Sequence, residues 1–399
     1  MTETLAIDGG APVRQDFLPF ARPSIGEDEI REVVDTLRSG WLTTGPRVKA
    51  FEEAFCAYTG APHAVAVNSC TAALHLSLLG MHVGVGDEVI TSPLTFAATA
   101  NVIVMTGARP VFVDVEESTY NIDPAKVEAA ITRSTRAIVP VHIGGLPAEM
   151  EPVLKLAERY DLRVVEDAAH AAGARYGERK VGSISDATCF SFYVTKTITT
   201  GEGGMVTTGS QELANRIRML SLHGLSKDAW DRYATKGTWY YEIVDLGYKY
   251  NMSDIQAAIG LHQVRRIDEF TRRRREIAHR YDEAFRELPE IVLPPRDTER
   301  SEHIYHLYTV RLDLDRLTIG RDRFIEALRA ENIGTSVHFI PLHLHPYYRK
   351  QLGLVRGAFP VAEAVFDSII SLPVYPGMSD ADADDVIAAV ERIVGSCRR

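Results

Sequence analysis

Seven short runs rich in Val and Ile recur between residues 63 and 208, with longer stretches of helical period between them. They read "HAVAVNS", "DEVITSP", "RPVFVDV", "RAIVPVH", "LRVVEDAA", "TCFSFYV" and "GGMVTT". Strands apolar on both faces and separated by helices belong to a mostly parallel sheet covered on both sides, so an α/β unit with a mostly parallel seven-stranded sheet is expected. Helices are expected to begin near Thr71, Thr95, Pro124, Glu149 and Gln211. After residue 253 the pattern changes to a long charged helix through about residue 287, then "HIYHLYTVRLDL" and "TSVHFIPLH" as strands among helices. That is the pattern of a smaller α+β unit, with the Pro- and charge-rich "ELPEIVLPPRDTERSE" as a surface connection. A chain of 399 residues is long enough for two domains. The expected division is a large domain over 1–252, N-terminal arm included, and a smaller one over 253–399.

Charge and cysteine usage exclude several classes of partner. Lys and Arg number 44 against 54 Asp and Glu, a net charge of -10, which argues against a nucleic-acid footprint. Cys56, Cys70, Cys189 and Cys397 form no Cys-x-x-Cys pair, so neither a disulfide framework nor a zinc knuckle is expected. No apolar stretch approaches the roughly 20 residues that span a bilayer, and "MTETLAIDGG" has neither a basic start nor an apolar centre. A cytoplasmic protein with no membrane association is expected. The densest basic run, "TRRRREIAHR", is flanked by Glu269, Glu276 and Asp282 at helical spacings and reads as a solvated helix face.

In an open parallel sheet, ligands bind beyond the carboxyl ends of the strands. Asn68, Ser69, Cys70 and Thr71 follow the first run and enter a helix, either as a plain N-cap or as a phosphate site. Asp167 closes another run, followed by His170; alone they fit a structural ion pair and an interior histidine equally well. "SFYVTKTITTGEGG" sets Lys196 among aromatic, β-branched and small residues with Glu202 as its nearest acid. Either the lysine snorkels to the surface, or burial keeps its amine neutral enough to attack a carbonyl. Ser191 and Tyr193 share that strand end. A lysine and a carboxylate at adjacent strand exits are the residue types that pyridoxal phosphate chemistry requires, the first to hold the aldehyde and the second to keep the pyridine nitrogen protonated.

Longer blocks extend this. "LPFARPSIGEDEI", "GWLTTGPRVKAFEEAF", "VNSCTAALHLSL", "GDEVITSPLTFAATAN", "VVEDAAHAAGARY", "CFSFYVTKTITTGEGGMV", "GYKYNMSDIQAAIGLHQ" and "HFIPLHLHPYY" follow in order over nearly the whole chain. With them the sequence resembles the DegT/StrS-type sugar aminotransferases, pyridoxal phosphate (PLP) enzymes of the aspartate aminotransferase fold (fold type I). The resemblance implies Lys196 as the Schiff-base lysine and Asp167 as the partner of the pyridine nitrogen. It puts His170 and Phe96 against the ring, and Thr71, Ser191 and the Cys70 backbone on the phosphate. It also implies a homodimer with shared active sites, in which the loop carrying Lys249 and Asn251 reaches the neighbour's cofactor, and substrate contacts from Thr44, His338 and His343. No metal is expected.

The chain departs from the family pattern at two points. Cys70 stands in Ser69-Cys70-Thr71 where many members have glycine, and Lys249 and Asn251 stand where many have Asn and Arg. The resemblance implies transamination from L-glutamate, giving 2-oxoglutarate, with the cofactor passing through its pyridoxamine form (PMP). The implied acceptor is a nucleotide-linked keto sugar, favouring a 4-keto-6-deoxyhexose, with C3 amination as the alternative. Dehydratases on this scaffold carry histidine at the lysine position, and a non-catalytic regulator would be expected to lose Lys196 or Asp167; this chain keeps both.

Overall fold

In the computed structural model, which describes residues 4–226 and 240–399, all seven apolar runs enter one sheet. Its strands are β1 His63–Val67, β2 Glu88–Thr91, β3 Arg109–Phe112, β4 Thr135–Val139 and β5 Arg163–Asp167. After two short strands, β6 Arg175–Tyr176 and β7 Arg179–Lys180, come β8 Ala187–Ser191 and β9 Gly204–Thr208. The spatial order is β1-β9-β8-β5-β4-β2-β3. Only β9 runs against its neighbours; the pairs β8–β5, β5–β4, β4–β2 and β2–β3 are parallel. Because side chains alternate along a strand, Ile90, Ile138 and Val164 enter the core on one face while Val89, Ala137 and Val165 enter the core on the other. Helices Cys70–Gly80, Ala97–Met105, Pro124–Ala130, Met150–Tyr160 and Gln211–Ser221 begin within two residues of the expected positions.

The second unit is built on an antiparallel sheet of β10 Ile291–Val292, β12 Tyr308–Leu312 and β13 Ile369–Leu372, while β11 Ser301–Glu302 joins β6 and β7. Its core gathers Tyr281, Phe285, Tyr308, Phe324, Val386 and Ile393. Two expectations are corrected here. The long charged helix is two helices, Asp254–Arg265 and Ile267–Phe285, broken at Arg266 (φ -107°, ψ 3°). The break lets the first pack with Glu27–Ser39 and Pro46–Thr59 while the second continues into the other core, where Ile277, Tyr281 and Phe285 are buried. Residues 335–343 form no strand: Ser336 makes a single bridge to Ser371, Pro341 has no N–H to donate, and Leu342 N–H donates instead to Pro93 O of the first unit.

We propose 252/253 as the division in sequence, at the start of Asp254–Arg265, with two crossings in space. Leu5 and Leu18 pack into the second core, and Ala257, Val264 and Ile267 pack into the first. Among the described residues no helix is long and apolar enough to cross a membrane.

Candidate active site

Strands β1, β5 and β8 point the same way, so their carboxyl ends open on one side of the sheet. Beyond them lies a cavity of about 430 Å³, whose wall includes Cys70, Thr71, Asp167, His170, Ser191 and Lys196. The strand ends deliver their residues directly. Asp167 is the last residue of β5 and Ser191 the last of β8, while Ser69 caps the helix that follows β1, its Oγ accepting from Ala72 N–H at 3.1 Å. That cap takes one of the helix's first N–H groups and leaves those of Cys70 and Thr71 without an intrahelical partner. β9 passes this helix start so closely that a Cβ on Gly204 would sit 2.4 Å from Ser69 C and 2.6 Å from Cys70 N. The Cys70 side chain turns into the protein, Sγ lying 3.6 Å from Cys189 O, and burial holds its thiol pKa well above the usual range. A side chain in place of the family's glycine therefore leaves the backbone N–H groups clear.

Asp167 and Lys196 both line this cavity. The Asp167 carboxylate is buried, accepts from Thr99 Oγ1 at 2.7 Å and Ala169 N–H at 3.2 Å, and makes no ion pair among the described residues. Burial pushes its pKa up, and those two bonds and the Lys196 charge only partly oppose the shift. One residue of the sheet earlier, Glu166 is fully buried against His142 (2.8 Å), Ser185 and Thr188, which fixes the strand end from below. Lys196 reaches the cavity from the turn after β8, its N–H donating to Tyr193 O at 2.9 Å. It too makes no ion pair among the described residues. Desolvation lowers its pKa to about 8, with Cys70 and Asp167 opposing and the Arg274 charge adding. An amine without an anion and a carboxylate without a cation thus share one cavity. The arrangement suits a ligand that brings a cationic N–H to Asp167 and a carbonyl to Lys196.

Aromatic and imidazole rings form another part of the wall. His170 Nδ1 accepts from Gly144 N–H at 3.3 Å, and its ring stacks on Phe339 (centroids 5.8 Å apart, 16°). Burial and the charges of Lys196 and His338 keep its pKa well below that of a free imidazole. His338 is anchored by Ser371 (2.7 Å) and pushed down to about 3, chiefly by burial. Phe96, 65% exposed, also lines the cavity, 6.2 Å from Phe339.

Other expected residues lie elsewhere. His343 is not in the cavity: it is fully buried, with Nε2 bonded to Glu363 at 2.8 Å, because the short turn Leu342–Leu344 after Pro341 directs it inward. It is withdrawn as a substrate contact. Thr44, Lys249 and Asn251 do not line this chain's cavity either; Asn251 Nδ2 donates to Thr44 Oγ1 at 2.7 Å, and Lys249 O accepts from Asn68 at 3.3 Å. Conversely, Arg274, His306 and Phe339 line the cavity and were missed. Within the basic run, Arg272 and Arg273 do pair with Glu276 at the surface, but Arg274 is 2% exposed. The signal was helical period: Phe270, Arg274, Ile277 and Tyr281 form one buried stripe.

Comparison with known proteins gives a consistent result. Residues 23–391 match the model of the DegT/DnrJ/EryC1/StrS aminotransferase family. The spore coat polysaccharide biosynthesis protein SpsC of Bacillus subtilis is 55% identical over 383 residues, 96% of this chain and 98% of SpsC. Among solved structures, the PLP form of Spr1654 from Streptococcus pneumoniae superposes with TM-score 0.89 at 37% identity, covering 95% of this chain and 99% of Spr1654. PseC of Helicobacter pylori, an aminotransferase involved in the biosynthesis of pseudoaminic acid, gives 0.88 at 30% identity, covering 96% and 100%.

Proposed function

Because this chain belongs to the DegT/DnrJ/EryC1/StrS aminotransferase family, we propose that it moves an amino group from L-glutamate to a keto carbon of a nucleotide-linked hexose, with a 4-keto-6-deoxyhexose favoured. It is a PLP-dependent aminotransferase, and Spr1654, 37% identical, is known in both PLP and PMP forms. One observation carries the reading: the unpaired amine of Lys196 and the unpaired carboxylate of Asp167 on the wall of one cavity.

When bound, the cofactor supplies an aldehyde for attachment and a cationic ring that draws electrons from the reacting carbon. Asp167, steadied by Thr99 and Ala169, would hold the ring nitrogen, whose positive charge would oppose the burial that raises the carboxyl's pKa. His170, held neutral, would lie against a face of the ring or its hydroxyl edge. The N–H groups of Cys70 and Thr71, with the Thr71 and Ser191 hydroxyls, would hold the phosphate at the positive end of helix Cys70–Gly80. Lys196 would hold the cofactor through its aldehyde. With its amine free, Lys196 would take the proton from the donor's Cα, and in the second half would deliver a proton to the sugar carbon that gains the nitrogen. His338 is the sugar contact retained.

Incubating the PLP-loaded protein with L-glutamate and a panel of dTDP- and UDP-linked 3-keto and 4-keto sugars should yield an amino sugar, read by mass spectrometry, with NMR placing nitrogen on C4. Formation of 2-oxoglutarate with no aminated sugar anywhere in the panel would overturn the acceptor assignment.

We place the protein in the cytoplasm as a homodimer in which Thr44, Lys249 and Asn251 complete the neighbour's site. Their lying outside their own chain's cavity supports this, as does Asn251 Oδ1, which is buried without a partner. Mixing inactive Lys196→Ala and Lys249→Ala proteins should restore activity in hybrid dimers that carry one intact site. Confirmed subunit exchange with no recovered activity contradicts the shared site.

A further inference from the structure

Arg274 sits halfway along helix Ile267–Phe285, on its buried face. Its Nη1 donates to two backbone carbonyls, His306 O at 3.2 Å and Val374 O at 2.5 Å, while Nε is buried with no acceptor. Among the described residues it makes no ion pair, whereas Arg272, Arg273 and Arg275 on the same helix each meet a carboxylate. A guanidinium carries five donors, stays charged, and is costly to bury without an anion. Two carbonyls occupy one of its nitrogens and neutralise nothing. Arg274 also lines the cavity that holds Lys196, and its charge helps depress the lysine's pKa, so the two cations are neighbours. Of the acids on that cavity, Asp167 faces the cofactor ring in the reading above and Glu202 is exposed. A substrate can bring the missing anion.

We propose that Arg274 holds a carboxylate of the amino donor during the first half of the reaction. This rests on the aminotransferase reading and names the donor's anchor within it. The sugar nucleotide also carries anions, but its diphosphate lies across a hexose ring from the reacting carbon, whereas the donor's carboxylate lies one bond away. The geometry beside Lys196 therefore favours the donor. In the second half-reaction the sugar brings no carboxylate, so Arg274 loses that contact and acts only through its charge beside Lys196.

The test compares wild type, Arg274→Gln and Arg274→Lys, each loaded with cofactor. Calorimetry measures binding of α-methyl-L-glutamate, which keeps both carboxylates but has no α-hydrogen and so cannot be turned over. In parallel, pyridoxamine-phosphate-loaded protein is mixed with dTDP-4-keto-6-deoxyglucose, or with whichever panel sugar wild type aminates. Affinity for the glutamate analogue should fall roughly 10- to 100-fold in Arg274→Gln, the range of a lost charge-assisted hydrogen bond, and less in Arg274→Lys. The sugar half-reaction should lose much less than analogue binding does, because Arg274 touches it only through the charge beside Lys196, and least in Arg274→Lys, which keeps that charge. Unchanged analogue binding, or a parallel loss in both halves as expected of a residue that merely ties His306 to Val374, overturns the proposal. A wild type that binds no donor analogue and aminates no sugar overturns the underlying reading instead, a failure seen before any variant is made.

Discussion

Lys196→Ala is expected to abolish turnover, with a loss of at least roughly 10²- to 10⁴-fold, while the fold persists. The proton moved at the donor's Cα has no other base of matched strength in the cavity, because burial holds His170 and His338 neutral and weakly basic. The fold should tolerate the change because Lys196 makes no ion pair among the described residues. Its lowered pKa also means that its charged form opposes folding below about pH 8, so removing it relieves the apoprotein there. Single-turnover absorbance with L-glutamate reads the first effect and thermal melting of the apoprotein the second. Sustained transamination by the variant would refute the assignment.

Asp167→Asn is the second large effect. The amide keeps the shape, its one oxygen accepting from Ala169 N–H while its NH2 donates to Thr99 Oγ1, whose own hydrogen turns to Thr95, but it loses the charge, so the rate should fall roughly 10²- to 10³-fold and cofactor retention should weaken. Stability should move the other way in the apoprotein. A carboxylate whose folded pKa is raised above its unfolded value loses stability as pH rises through that raised value, and Asn does not titrate. The apo variant should therefore melt no lower than apo wild type at neutral pH, while the PLP-loaded variant melts lower than PLP-loaded wild type. Unaltered rate and retention would mean that another acid faces the ring.

What the sequence revealed follows from how strongly each residue's neighbours constrain it. The seven strands were legible because Val and Ile runs apolar on both faces admit few other structures, and Asp167, Ser191 and Lys196 were legible because they sit at or just beyond strand ends. Residues 335–343 were not. A short apolar run interrupted by Pro341 fits a strand or a crossing segment equally well, and only the bond from Leu342 to Pro93 decides it. His338 and His343 look alike in sequence, yet one turn of 3-10 helix sends the second to Glu363 and leaves the first on the cavity wall. Arg274 was hidden by its company: three neighbouring arginines are paired with acids, and charge density outweighed the helical stripe that buries the fourth. Thr44, Lys249 and Asn251 came from resemblance alone, and a single chain gives them no place in its own cavity.

The most direct measurement is borohydride reduction of the PLP-loaded protein followed by proteolysis and mass mapping. One reduced pyridoxyl adduct is expected, on the peptide containing Lys196. An adduct on any other lysine, or none at all, contradicts the assignment of Lys196.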